Sequence, residues 1–429
     1  MPNRILRNAS WIIACKVCQA ILGLVISMLT ARYFGPQNFG IINYAASLTT
    51  VLTPIALLGF NVVLIKRIVS EPEHESTILG TAVLSSAISG ILCVLAIYLF
   101  VSVSSADDQL TIVVCTLYST MLVMQGFELI QYWFQAKLLS KYASLMTLFA
   151  YTFVAILQIV FLVSGKSIVW FASIKAIEYA LIAVGLMFVY RKLTNQTLSF
   201  SLRCFWDMFR ESRYYILSNL MVMMFAQADR IMLKFMMSSE SMGFYSAAVG
   251  CANLTEFVFL AIIDSFRSTV IEKKAVNQSE YESLLRKLYS VMIYLSLLQS
   301  VFITILAKPI ILVLYGRAYL PAVVPLRIIV WYTAFSYLGS ARIIWILAEK
   351  QETLLWKINS FGAILNIILN WFMIPVGGIA GAAIASLLTQ FTVNFGIGLF
   401  VEPLKDNNML IIQSCRFSVI RGFVSDLKK

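Results

Sequence analysis

Between Ile78 and Val101 the chain reads ILGTAVLSSAISGILCVLAIYLFV, a run without a charged side chain. About 20 apolar residues in a helix cross the hydrocarbon core of a bilayer, so this stretch is long enough to span one. Runs of the same kind recur from Trp11 to the region of Val401. They are too long and too uniformly apolar for barrel strands, and only a helix satisfies every backbone group within a single segment in lipid. Composition agrees: 60% of the 429 residues are hydrophobic, 13% are charged, and the mean hydropathy is +0.84. A soluble domain does not need that much apolar surface, so most of the chain is solvated by lipid. The sequence specifies an all-α integral membrane protein.

Charged or Gly/Pro-bearing breaks divide the apolar sequence into about twelve transmembrane helices. The first six are Trp11 to Tyr33, Ile41 to Ile65, Ile78 to Val101, Leu110 to Gln135, Tyr142 to Ser164 and Ile168 to Tyr190. The second six are Tyr214 to Phe235, Gly243 to Phe266, Leu288 to Ala307, Ala322 to Leu347, Leu354 to Ile374 and Ile379 to Val401. The first run lacks a small-residue cleavage site and reads as a retained helix. Pro54 lies inside the second and removes a backbone donor there, which predicts a kink.

Net charge is +12, which in a soluble chain would point to nucleic acid. Here the basic residues concentrate in alternate loops: Arg4 and Arg7, Lys66 and Arg67, Lys137 and Lys141, Arg191 to Arg210, Lys273 to Lys287, Lys350, and Lys405 onward. That is the signature of topology rather than of a nucleic-acid surface, and it places both termini in the cytoplasm. The seven cysteines form no framework, and the lone His74 has no second histidine or cysteine near it. Cys15-x-x-Cys18 falls inside the first span, where two small apolar side chains explain it without a metal.

The longest basic loop lies near the middle. It predicts an N-terminal six-helix lobe over 1–195, an inter-lobe loop over 196–212, a C-terminal six-helix lobe over 213–402, and a cytoplasmic tail over 403–429. In the tail Ile412, Cys415, Val419, Phe423 and Leu427 recur at helical intervals among basic residues, as in an interfacial amphipathic helix. An internal repeat supports the two lobes: Ala31 to Ala46 after the first helix and Leu233 to Ala248 after the seventh. Each has a basic residue, a short polar turn, a glycine (Gly40, Gly243) read as opening the next helix, and then a tyrosine with small residues.

Three stretches carry a family resemblance: Thr30 to Gly40, with Tyr33-Phe34-Gly35-Pro36; Gln227-Ala228-Asp229-Arg230 with Gly243-Phe244-Tyr245-Ser246-Ala247-Ala248; and Leu365-Asn366 through Asn370 to Ala385. Together they resemble the Wzx-type O-antigen and polysaccharide repeat-unit flippases of the multidrug, oligosaccharidyl-lipid and polysaccharide (MOP) exporter superfamily. The resemblance runs in order along nearly the whole chain. It implies two six-helix bundles around a central cavity and alternating access for an undecaprenyl-diphosphate-linked oligosaccharide. It also implies a bacterial cytoplasmic (inner) membrane location, no cofactor, coupling to an H+ or Na+ gradient, and partners such as a polysaccharide polymerase and a chain-length regulator. Twelve helices plus a tail argue against the fourteen-helix peptidoglycan type.

Charges at mid-membrane cost roughly 2.5–3.5 kcal/mol on insertion scales, so each needs protein or water around it. A diphosphate headgroup needs fixed cations, and Lys16, Arg230, Arg267 and Arg342 are the candidates for a cationic, substrate-binding cavity. Arg267 and Arg342 have the alternative of snorkelling to headgroups. Asp229, Glu128, Glu256 and Asp264 are candidates for coupling-ion binding or gating; Asp229 either binds a cation or proton or pairs with a cation from another helix. Lys175 and Glu178, three apart, fit a pair on one helix face. Gly377, Gly378, Gly381, Ala382, Ala385 and Ser386 read as a small-residue packing face.

No loop exceeds roughly 25 residues and no catalytic motif stands out, which disfavours a membrane-bound transferase. A cation-coupled multidrug exporter of the same superfamily remains the alternative and would favour an acidic cavity.

Overall fold

The computed structural model describes the backbone of residues 2–194 and 197–426, and the side chains of 18–421 apart from 195, 196 and 275. Among the described residues all regular structure is helical. Nine helices among the described residues are long and apolar enough to cross a membrane. Two of these, Cys18–Ser70 and Thr353–Phe400, contain 53 and 48 residues, more than twice the roughly 20 one crossing needs. Each contains a glycine off the helical path, Gly35 (φ 71°, ψ 176°) and Gly378 (φ 56°, ψ −135°), and the first has a further break at Leu57–Gly59. Positive φ comes without steric cost only to glycine, so at Gly35 and Gly378 the chain changes direction with no loop. Dividing both helices at these points, and counting the pair Ser239–Ala252 and Glu256–Lys274, bent by 46°, as a crossing, gives twelve spans.

In order the spans are 2–34, 36–70, Pro72–Ser104, Gln109–Ala136, Ser140–Val163, Ile168–Thr194, Leu202–Met236, the bent pair, Gln278–Leu314, Arg317–Ala348, 353–377 and 379–400. The first break is at Gly35, and Gly40 lies within the second span. Gly243 likewise lies inside Ser239–Ala252, whose start is capped by Ser238 Oγ accepting the Ser241 N–H at 3.1 Å. The repeat glycines therefore do not open their helices, contrary to expectation; a serine cap and a positive-φ glycine several residues earlier do so.

The chain divides into two compact units, Met1–Gln227 and Ala228–Lys429. In the first, Phe60, Leu64 and Ile68 pack with Ile78, Leu79, Ile130, Trp133, Phe134, Leu186 and Tyr190. The third and fourth spans touch backbone to backbone. A Cβ on Gly90 would lie 2.6 Å from the Leu122 carbonyl, and one on Gly126 would lie 2.9 Å from the Ala87 nitrogen. Small residues allow such an approach and so gain dispersion contacts where lipid removes the hydrophobic drive. The second span breaks just beyond Pro54, at Leu57–Gly59, before resuming at Phe60.

The seventh span starts in this first unit. Glu211 pairs with Lys66 at 2.8 Å and Arg67 at 2.9 Å, and Met208 is fully buried among the core side chains. The segment read as an inter-lobe loop is thus helical from Leu202 onward. Its apolar residues alternate with Arg203, Asp207 and Arg210, so it is half-buried and its hydropathy is low.

The second unit buries Tyr245, Tyr281, Tyr289 and Tyr319 completely. A tail helix, Glu402–Ser414, lays Leu404, Asn407, Asn408 and Ile411 onto it. Asn407 donates to the Tyr289 hydroxyl at 2.5 Å and Tyr294 donates to the Cys415 carbonyl at 2.8 Å. Ile412 and Cys415, from the apolar stripe read in the sequence, are on the exposed side; the side chains of Phe423 and Leu427 lie outside the described residues. Gly378 makes the turn between the last two spans, and Gly381 presses on the Met373 carbonyl. Of the expected packing face, Gly381, Ala382, Ala385 and Ser386 are buried, while Gly377 and Gly378 are not.

Candidate functional site

In the C-terminal unit the seventh span carries Asp229, which is only 8% exposed. Tyr245 of the eighth span donates its hydroxyl to Asp229 Oδ2, and Ser386 of the last span donates to the same oxygen at 3.0 Å. The Arg230 backbone N–H donates to Oδ1 at 2.9 Å, and the Tyr245 and Ser386 hydroxyls are 3.3 Å apart. Three helices thus converge on one carboxylate through neutral donors. Tyr332 of the tenth span is within electrostatic reach of Asp229, Arg230 and Glu256, so it gathers three of the sequence candidates around one phenol. Glu256 opens the second half of the bent span and is exposed. The buried carboxylate is thus satisfied by neutral donors, next in sequence to Arg230.

The other candidates lie elsewhere. Asp264 and Arg267 pair with each other at 3.1 Å on one helix face, both substantially exposed. Arg342, 2% exposed, is turned into the protein. It donates to the Val393 carbonyl at 2.9 Å, the Asn394 carbonyl at 3.2 Å and Asn394 Oδ1 at 3.3 Å. Those carbonyls belong to a π-helical turn, Thr392–Gly396, whose wider winding releases them from the ordinary ladder. The guanidinium neither snorkels nor points to an open surface; it fastens this turn. The Lys16 side chain lies outside the described residues.

Glu128 belongs to a second polar cluster, in the N-terminal unit. Lys175 Nζ and Glu178 Oε2 are 2.8 Å apart, the ammonium sits 5.4 Å from the centre of the Tyr151 ring, and Glu178 is 6% exposed. Tyr118 lies near both charges, and Glu128 is near enough to Glu178 to interact with it. Glu178 is therefore paired with the ammonium among tyrosines, while Glu128 bonds to Gln131 and lies within reach of the like charge of Glu178. Sequence reasoning saw the Lys175–Glu178 pair but not the tyrosines around it, nor Tyr245, Ser386 and Tyr332 around Asp229. Tyr245 did carry a signal, since it stands in the internal repeat at the place of the equally buried Tyr44.

Comparison with known proteins places this architecture. The model of the polysaccharide biosynthesis protein family matches residues 5–266. No curated protein matches the chain significantly. Among solved structures, an inward-facing multidrug resistance MATE family transporter of the MOP superfamily is similar with a TM-score of 0.70 at 12% identity, over 90% of this chain and 96% of that one. Lipid II flippase MurJ in an inward closed conformation is similar with a TM-score of 0.66 at 14% identity, over 97% and 92%. A MOP superfamily transporter from Pyrococcus furiosus, described by a binding pocket of reversed polarity, is similar with a TM-score of 0.60 at 12% identity, over 99% and 96%. The fold is that of the MOP exporters, as the sequence resemblance implied, and the chain is a multi-pass membrane protein. The chain belongs to the polysaccharide biosynthesis protein family.

Proposed function

We propose that this chain flips an undecaprenyl-diphosphate-linked oligosaccharide, the repeat unit of O-antigen or another surface polysaccharide, across the bacterial cytoplasmic membrane by alternating access. The observation that carries this is the polysaccharide biosynthesis match over residues 5–266. The structural likeness to a lipid II flippase agrees with a lipid-linked cargo. Both termini are proposed to be cytoplasmic from the alternation of basic loops. A polysaccharide polymerase and a chain-length regulator are the proposed partners.

Within this reading Arg230 is the foremost cation for the diphosphate, because it stands beside Asp229 and near Tyr332. Arg267 and Lys16 are proposed as further contributors of positive potential; the carbonyl bonds of Arg342 favour a structural role for it. Asp229 is the proposed coupling residue for an H+ or Na+ gradient, with Glu256, Glu128 and Asp264 as lesser candidates.

The second reading, a cation-coupled multidrug exporter, draws support from the likeness to a MATE transporter. Cells lacking the protein separate the two. The flippase reading predicts that lipid-linked oligosaccharide builds up where a membrane-impermeant label added outside cannot reach it, with unchanged sensitivity to cationic dyes. Increased dye sensitivity without that build-up would favour the exporter.

A further inference from the structure

Both units carry an apolar groove, and the two differ in one respect. The groove of the C-terminal unit, between the eighth and ninth spans, encloses about 820 Å³ and has no cation in its lining. The groove of the N-terminal unit, between the fourth and sixth spans, encloses about 830 Å³ and ends on Arg191 and Lys192, both exposed. Met124 and Phe127 form one wall, and Val184 and Phe188, 70% and 67% exposed, form the other. The volume is in the range of ligand sites, yet apart from that one end the walls are hydrocarbon-like.

Its length matches one leaflet. Ala180 and Lys192, at opposite ends of the lining on the sixth span, are separated by roughly 18 Å along a helix rising about 1.5 Å per residue. One leaflet contributes roughly 15 Å, half of the ~30 Å hydrocarbon core. The groove therefore runs from near the bilayer centre to headgroup level, and its two cations stand where a phosphate would be. Arginine grips phosphate oxygens with two bonds and lysine adds a compact charge. In a bilayer, bulk phospholipid far outnumbers any other phosphate-bearing lipid.

We propose that this groove is a binding site for one anionic phospholipid, with an acyl chain between Phe127 and Phe188 and its phosphate on Arg191 and Lys192. The test is native mass spectrometry of the full chain taken from bilayers of mixed phosphatidylglycerol and phosphatidylcholine. Wild type should retain one phosphatidylglycerol in preference. Arg191→Gln/Lys192→Gln should weaken that retention roughly 30-fold, each cation near an anionic surface counting for roughly fivefold. Val184→Trp, at an exposed position, should abolish it by filling the groove with both charges in place. Arg203→Gln/Arg210→Gln, at a second pair of exposed cations, should leave it unchanged. Equal thermal unfolding of all variants in phosphatidylcholine shows that they fold. An equal loss in the Arg203/Arg210 variant would mean diffuse attraction and overturn the site. So would retention by Val184→Trp, no preference in wild type, or displacement of the phospholipid by an added polyprenyl diphosphate at equimolar amount.

Discussion

Replacing Tyr245 by phenylalanine removes one hydroxyl and keeps the ring, so it isolates the bond to Asp229. The carboxylate has three donors: the Tyr245 hydroxyl, the Ser386 hydroxyl and the Arg230 N–H. A hydrogen bond to a charged group contributes roughly 1.5–3 kcal/mol, against roughly 0.5–1.5 kcal/mol for a neutral pair. Because Asp229 and Tyr245 are both buried, water does not replace the lost donor cheaply. Tyr245→Phe should therefore destabilise the protein by roughly 1.5–3 kcal/mol. The assay is reversible unfolding in micelles of Tyr245→Phe, Asp229→Asn and the double variant, with the coupling energy taken from the cycle. An ionised Asp229 gives a coupling near the upper range, and a protonated one gives the lower. Coupling below roughly 0.5 kcal/mol would refute the claim that the two side chains form one buried unit.

Three further predictions concern the framework. Gly126→Leu should force the third and fourth spans apart and cost at least roughly 1–3 kcal/mol, because the added Cβ meets backbone rather than a flexible side chain; unfolding in the same micelles measures it. Lys175→Met leaves Glu178 buried without its ammonium, so it should cost roughly 3–5 kcal/mol, and adding Glu178→Gln should recover part of that; equal stability of the single and double variants would count against the pair. Arg342→Met should lower stability by withdrawing the donor from the Val393 and Asn394 carbonyls, at roughly 1–3 kcal/mol for each group left unsatisfied, and should raise amide hydrogen exchange in 392–396; unchanged exchange there would show that the π-turn does not depend on Arg342.

The spans were legible because lipid imposes a simple rule: an uncharged run of about 20 residues has no other stable form. Hydropathy cannot see a helix whose apolar residues alternate with charges, which is why the start of the seventh span, around Met208, read as loop. It also could not distinguish Gly35, whose positive φ makes a turn, from Gly40, which is ordinary helix five residues on. At the site, Asp229 was legible because a charge inside a span demands an explanation. Its partners were not, because Tyr245 and Ser386 are uncharged and come from helices remote in sequence. Arg342 drew the same attention as Arg230, yet its role depends on a π-turn some fifty residues away that no local pattern announces.

The central claim is that an anionic lipid-linked oligosaccharide is the cargo. Proteoliposomes holding the purified chain and a fluorescent undecaprenyl-diphosphate oligosaccharide on the outer leaflet test it directly, read as the fraction of label that becomes protected from an added impermeant reductant. Protection should rise with time in wild type, stop in Arg230→Ala at normal protein yield, and be unaffected by organic cations. Protection no faster than in empty vesicles, alongside gradient-driven expulsion of a cationic dye, would contradict it.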